Sequence, residues 1–184
     1  MTDKFLYRMI RRIIIITLII IGFYFVLVAI LPEKQTIERS IDIDAPAWKI
    51  YHMIGDFQNW EQWNMDFYHD TTIVTELSEN STGVGAALYW ESENGDFGKY
   101  EIDKCLHRQY VYYYSYYGEN SDPLKGEFFI RKTADSYKLF WRLTCSLNTY
   151  NLFSYISFFV NNIIDTGMVE GLENIKYLSE KRTK

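Results

Sequence analysis

From residue 71 to residue 147 apolar and polar residues alternate with a period of two, and turn chemistry interrupts the alternation five times. The breaks fall at Ser78 to Thr82, at Asn94-Gly95, at His107 to Gln109, at Gly118 to Pro123 and at Ala134 to Ser136. Between them lie six strand candidates, 71–77, 84–92, 98–106, 110–117, 125–133 and 137–147. Every connection is short enough for an antiparallel neighbour, and Asn-Gly is a strong hairpin signal. Six such strands make a meander. A seventh candidate, Thr36 to Ile43, alternates Ile37, Arg39, Ile41 and Ile43 with polar residues, which gives one buried face.

A sheet with one apolar face needs a partner, and the end of the chain offers one. Ile164, Met168, Leu172, Ile175 and Leu178 recur at helical spacing, opposite Glu170, Glu173, Asn174, Lys176 and Glu180. The stretch before them, Phe153 to Ile164, is apolar on nearly all sides, and a split between the two is expected at Asp165-Thr166-Gly167. Between the first strand and the meander, Asp44-Ala45-Pro46 reads as a helix start with Asp44 as its cap. A short helix through Ile50, Tyr51 and Ile54 should end near Gly55. A second, Asp56 to about Asn64, carries Trp60 and Trp63 on one face.

Ahead of this unit, Ile13 to Leu31 form nineteen uncharged positions. As a helix they would span roughly 28 Å, close to the ~30 Å hydrocarbon layer of a bilayer. A cleaved secretory signal has a core of about 7 to 15 residues and ends in small residues. This run is longer and exits through Val28-Ala29-Ile30-Leu31-Pro32, so a retained single-pass anchor is the favoured reading. Lys4, Arg8, Arg11 and Arg12 precede it, against Glu33 and Lys34 after it. The positive-inside rule then keeps the N-terminus cytoplasmic and the remainder outside the cytoplasm. The expected organisation is a cytoplasmic N-terminus over 1–12, an anchor over 13–31, a linker over 32–35 and one domain over 36–184.

Of 19 Lys and Arg and 24 Asp and Glu, the first 31 residues hold those four basic residues and Asp3, which leaves 15 against 23 and a charge near −8. Such a domain repels phosphate backbones and makes a poor nucleic-acid partner. The two cysteines fall in strand candidates. Cys145 shares parity with Leu139, Trp141 and Leu143, whereas Cys105 shares parity with Glu101 and Asp103. Opposite faces keep the sulfurs apart, so two free thiols are expected.

The order strand, two short helices, meander, long helix is the helix-grip architecture, an α+β fold. Specific residues add a resemblance. Ile37-Glu38-Arg39-Ser40-Ile41-Asp42-Ile43-Asp44-Ala45-Pro46, then Ile50-Tyr51, Ile54, Asp56 and Trp60-x-x-Trp63, resemble the opening of the START-like (SRPBCC) superfamily in its polyketide cyclase/dehydrase-like branch. Gly83-x-Gly85, Trp90, Gly98 and the ending Gly171-Leu172-Glu173-Asn174-Ile175-Lys176 with Glu180 extend the likeness over Ile37 to Glu180. One departure is that Asn64 and Met65 stand where the family commonly has a Ser-Pro pair. The resemblance implies a seven-stranded curved antiparallel sheet around the last helix and an apolar cavity between them, used for lipids, sterols or polyketides. It does not imply a reaction.

No catalytic or metal-binding constellation is legible. His52, His69 and His107 are scattered, without ligand spacing. Glu91 and Glu93 have the parity opposite to Trp90, and Gly83 and Gly85 precede a strand rather than a helix, so they form no phosphate loop. No cofactor is expected. Strand parity and helical spacing select Trp63, Leu88, Trp90, Tyr113, Phe128, Ile130, Leu139, Trp141, Leu143, Met168, Leu172 and Ile175 as inward-facing. They are either the wall of a ligand cavity or solid core. Phe153, Phe158 and Phe159 are candidates for a rim that contacts the membrane interface. Three functions follow: a membrane-tethered binder or transporter of a hydrophobic small molecule or lipid, a cyclase- or dehydratase-type enzyme, or a tethered interaction domain with a vestigial cavity.

Overall fold

A computed structural model describes residues 2–30, 34–119, 122–146 and 162–181. Helix α1 (Thr2–Ile30) is followed by strand β1 (Lys34–Ile43), α2 (Ala47–Gly55), a 3-10 turn (Phe57–Gln62) and α3 (Met65–His69). Strands β2 (Val74–Leu77), β3 (Ala87–Glu91), β4 (Phe97–Leu106), β5 (Tyr110–Tyr117), β6 (Leu124–Lys132) and β7 (Tyr137–Ser146) precede the final helix α4 (Asn162–Glu180). The seven strands form one antiparallel sheet in the order β1-β7-β6-β5-β4-β3-β2.

The period-two pattern separates the two faces of this sheet. On the inner face Val111 pairs with Phe128, Phe128 with Trp141, and Ile130 with Leu139, and all five are buried. On the outer face Glu38, Arg142 and Glu127 are cross-strand neighbours, and Arg142 bonds Glu38 at 2.6 Å and Glu127 at 3.3 Å. α4 lies against the inner face through Met168, Leu172 and Ile175, each at most 2 % exposed. Burying such side chains contributes about 2 kcal/mol apiece. Polar contacts fix the helix in place: Arg39 pairs with Asp165 at 2.6 Å, and the Asp44 amide donates to Glu180 Oε1 at 2.7 Å.

Gly171 lets the helix approach the sheet closely, because a Cβ there would meet the Trp141 ring at 2.9 Å. α4 is continuous through Asp165-Thr166-Gly167, so the expected split does not occur. Buried Gly167 and Met168 are held in one helical run that starts at Asn162.

Four other local expectations are corrected. Pro46, not Asp44, precedes the first turn of α2, and the Asp44 amide is committed to Glu180. The second helix is a 3-10 turn capped by the Asp56 side chain, which accepts from the Gln58 amide at 3.1 Å. A further helix, α3, follows it because Asn64 caps it, accepting from the Asp66 amide at 3.2 Å. β1 starts at Lys34, inside the expected linker.

A further correction concerns Cys105, which packs against the core rather than outward. The register shifts between Ile102 and Lys104, and this bulge reverses the parity of the residues beyond it. Both thiols are free, as expected, but for a different reason. Cys105 lies on β4 and Cys145 on β7, three strands apart, or roughly 14 Å at the usual strand spacing.

Candidate functional site

The centre of the molecule is filled. Trp60 and Trp63 are fully buried, with ring centres 4.9 Å apart. Their indole N–H groups donate to Ile54 O at 3.2 Å and Met53 O at 2.8 Å. Trp63 meets Trp141 edge-on at 5.6 Å, and Phe128 stacks between Tyr113 and Trp141 at 5.8 and 5.0 Å. Much of the inward-facing aromatic surface is therefore used as packing. Leu88, Phe128, Ile130, Leu139, Leu172, Ile175 and Trp63 belong to this core.

A cavity of about 250 Å³ remains at one end of it, lined in part by Tyr113, Trp141, Leu143 and Met168. These four belong to the inward-facing set derived from the sequence. Leu124, Met65, Ile164 and Gly167 complete the apolar wall, and Asn64, Asp66, Tyr100, Ser115 and Tyr117 supply polar atoms. Trp90 lines a second, adjoining pocket of about 500 Å³, for which Asp66 and Tyr117 form the shared wall. Phe153, Phe158 and Phe159, the expected membrane rim, lie outside the described residues.

The floor of the smaller cavity depends on Gly126. Tyr113 on β5 faces Gly126 on β6, and its ring lies across the glycine so closely that any Cβ would overlap it. In that position the Tyr113 hydroxyl accepts from Trp141 Nε1 at 3.0 Å. Burial raises the Tyr113 phenol pKa well above its ordinary value, so it remains a neutral group.

The polar wall is a small network. The Tyr100 hydroxyl donates to Asp66 Oδ2 at 2.7 Å and the Tyr117 hydroxyl to the same oxygen at 3.2 Å; the two hydroxyls are 3.3 Å apart. Tyr100 is 4 % exposed and Tyr117 41 %, the latter with its hydroxyl end turned inward. Burial, with the neighbouring Tyr117 and Asp66, pushes the Tyr100 phenol well up. Burial and then Asp66 push Tyr117 to about 12. Both phenols are thus hydrogen-bond donors at neutral pH. The Ser115 hydroxyl, buried beside them, meets no hydrogen-bond geometry among the described residues, yet lies close enough to Tyr117 to favour its ionised form.

Asp66 lines both pockets and was not singled out from the sequence as a site residue. It sits in the first turn of α3, which was not foreseen. Ser115 and Tyr117 shared parity with Tyr113, and that signal was available. The histidines are peripheral: His52 is 3.8 Å from Asp56, His69 pairs with Glu170 at 2.9 Å, and His107 accepts from Arg108 Nε at 3.0 Å. No cluster of metal-ligating side chains occurs among the described residues.

The cavity has a definite place relative to the N-terminus. Lys34 pairs with Ser146, Thr144 with Lys125, Ser115 with Leu124, and Gly98 with Tyr117. The cavity therefore lies at the end of the sheet where β1 begins. Only residues 31–33 separate Lys34 from α1, a reach of at most roughly 14 Å. Within α1, Tyr7–Val26 is long and apolar enough to cross a membrane.

A curved seven-stranded antiparallel sheet closed over a long C-terminal helix, with the short helices inserted after β1, is decisive for the fold. It is a helix-grip fold. The di-domain ARO/CYC protein BexL from the BE-7585A biosynthetic pathway superposes with a TM-score of 0.60 at 17 % identity, over 85 % of this chain and 53 % of BexL. A Staphylococcus epidermidis protein gives 0.60 at 13 % identity over 84 % and 94 %. DynU16, from the dynemicin biosynthetic locus, gives 0.54 at 13 % over 77 % and 46 %. The structural neighbours thus include proteins from biosynthetic loci and pathways, which share this fold. No family model matches the sequence, and no curated protein matches it.

Proposed function

We propose that this chain is a membrane-tethered helix-grip domain that binds a hydrophobic small molecule, a membrane lipid or a product of similar character. The observation that carries the reading is the cavity bounded by Leu124, Trp141, Leu143, Ile164 and Met168. It lies at the sheet end that follows an apolar, span-length helix by three residues. A pocket with aromatic and aliphatic walls and a few convergent polar groups suits an apolar ligand with one polar end. Placed beside a bilayer, it can exchange that ligand with the membrane without crossing much water. The positive-inside bias of the N-terminal residues would put the domain outside the cytoplasm. The full chain, extracted in nonionic detergent and released from micelles in a native mass spectrometer, should carry an apolar adduct. Replacing Leu143 with Trp should remove it. Persistently adduct-free protein that takes up no added lipid overturns the proposal.

A second reading, a cyclase-type enzyme, is favoured by one observation. Asp66 with the Tyr100 and Tyr117 hydroxyls places an acceptor and two donors beside an apolar pocket, the elements of general acid-base chemistry. Asp66→Asn separates the readings. A binder carries the same adduct before and after the substitution, at lower occupancy where Asp66 touches the ligand, whereas an enzyme exchanges its product for accumulated unreacted substrate.

A further inference from the structure

The apolar and polar walls of the cavity set separate limits on a ligand. Tyr113 and Trp141, joined by the indole-to-phenol hydrogen bond at 3.0 Å, form its floor. Phe128 and Trp63 pack on those rings and leave no deeper space. The volume that remains, about 250 Å³, is below the roughly 300–1,000 Å³ of ordinary small-molecule sites. It admits one alkyl chain, whereas a fused ring system or a second chain would have to displace buried aromatic rings.

The polar wall limits the head. Among the described residues, no Lys, Arg or His lines this cavity or the adjoining pocket. A carboxylate or phosphate head therefore finds no cation and meets the Asp66 carboxylate instead. What the wall does offer is an acceptor beside a donor. The Tyr100 and Tyr117 phenols both address Asp66 Oδ2, which leaves the acceptor capacity of Oδ1. Asn64 is 5 % exposed, and its Oδ1 accepts from the Asp66 amide at 3.2 Å. That bond assigns the other end of the side chain, Nδ2, as a pair of donors. Asn64 and Asp66 are thus held together by a hydrogen bond, and both line the cavity. A hydroxyl donates and accepts, so it can answer both residues at once; an ammonium only donates, and a carboxylate only accepts. Asn64 stands at one of the two positions where this chain departs from the Ser-Pro pair of the family it resembles, so the amide donor is this chain's own.

We infer that the ligand is an uncharged single-chain alcohol, a monoacylglycerol or an amphiphile of the same build. One hydroxyl donates to Asp66 and accepts from Asn64 Nδ2, and the chain lies along Leu124, Leu143, Ile164 and Met168. The rest of a polyol head reaches past Asp66 and Tyr117 into the adjoining pocket, which shares those two residues. This inference rests on the binding reading above and adds the chemistry of the head and the number of chains.

The test uses the full chain in phosphatidylcholine nanodiscs with four probes at the same mole fraction: monodecanoylglycerol, decanoate, decylamine and didecanoylglycerol. Bound probe is counted by native mass spectrometry of the ejected protein. An unmatched buried polar group predicts a preference of about tenfold or more for monodecanoylglycerol over decanoate and decylamine, and didecanoylglycerol should bind no better than they do. Asn64→Asp keeps an acceptor for the helix cap but removes the donor, so the preference over decylamine should fall below about threefold at an unchanged unfolding midpoint. Asp66→Asn removes the carboxylate and should bring decanoate within about threefold. Equal binding of the three single-chain probes, or preference for decanoate or decylamine, overturns the hydroxyl head. Equal binding of didecanoylglycerol overturns the single chain. Either result leaves the binding proposal standing. Preferences unmoved by both substitutions overturn the assignment to Asn64 and Asp66, and binding of none of the four probes overturns both readings.

Discussion

Replacing Gly126 with Ala tests the packing that shapes the cavity floor. The added Cβ would overlap the ring of Tyr113, which lies directly across the glycine. Because the overlapping atoms belong to a buried ring packed on Phe128 at 5.8 Å and Trp60 at 5.0 Å, the ring has no free space to enter. Overpacking of this kind costs about 1–3 kcal/mol. Displacing the Tyr113 hydroxyl also strips Trp141 Nε1 of its acceptor at 3.0 Å, a further ~1–3 kcal/mol for an orphaned buried donor. The sum is centred on about 4 kcal/mol, or roughly 8–16 °C in unfolding midpoint for a domain of this size. Thermal and urea unfolding of the full chain in nonionic micelles, followed by tryptophan fluorescence, measures it. In a Tyr113→Val background the same substitution should cost below about 1 kcal/mol, because the coupling is removed with the ring. A Gly126→Ala chain within about 0.5 kcal/mol of the parent, or equal costs in both backgrounds, would refute the argument.

Three further outcomes follow from the same geometry. Tyr117, Tyr110 and Tyr51 have phenols raised to about 12, chiefly by burial, against 10 when free. The unfolded chain therefore loses these protons first: their contribution to stability is complete below pH 10 and is lost between pH 10 and 12. Phenolate absorbance of the folded chain should lag that of the unfolded chain across that window, and coincident curves would contradict the burial argument. Asn64→Ala removes the cap of α3 and should cost about 1 kcal/mol, together with weaker ligand uptake because α3 carries Asp66; an unchanged midpoint would show the cap to be dispensable. Cys105 and Cys145 should both react with alkylating reagent in the denatured, unreduced protein, and a mass consistent with an internal disulfide would contradict the strand placement.

The sheet was legible in the sequence because one-sided burial imposes a period of two, and each strand candidate appears close to its expected place. The irregular parts were not. The bulge between Ile102 and Lys104 inserts one residue without any composition signal, and it moved Cys105 to the inner face. The turn from Trp63 into α3 depends on the Asn64 side chain folding back on the Asp66 amide, a local bond that a five-residue helix cannot advertise through periodicity.

The candidate site was half legible. Tyr113, Trp141, Leu143 and Met168 followed from parity and helical spacing. Whether they bounded a void or filled one depended on how Gly126 admits the Tyr113 ring, a three-dimensional coincidence between β5 and β6. Asp66 remained hidden because its helix did.

The central claim is that an apolar ligand occupies the cavity at the β1 end of the sheet. Photo-labelling with a diazirine-bearing monoacylglycerol, applied to membranes containing the full chain and mapped by peptide mass spectrometry, tests it directly. Labelling of α1 is expected for any chain that spans the bilayer, so the informative sites are those on the domain. Label is expected at Leu124, Leu143 and Met168, competed away by unlabelled monoacylglycerol and lost in Leu143→Trp. Label confined to α1, or domain label that no competitor removes, would contradict it.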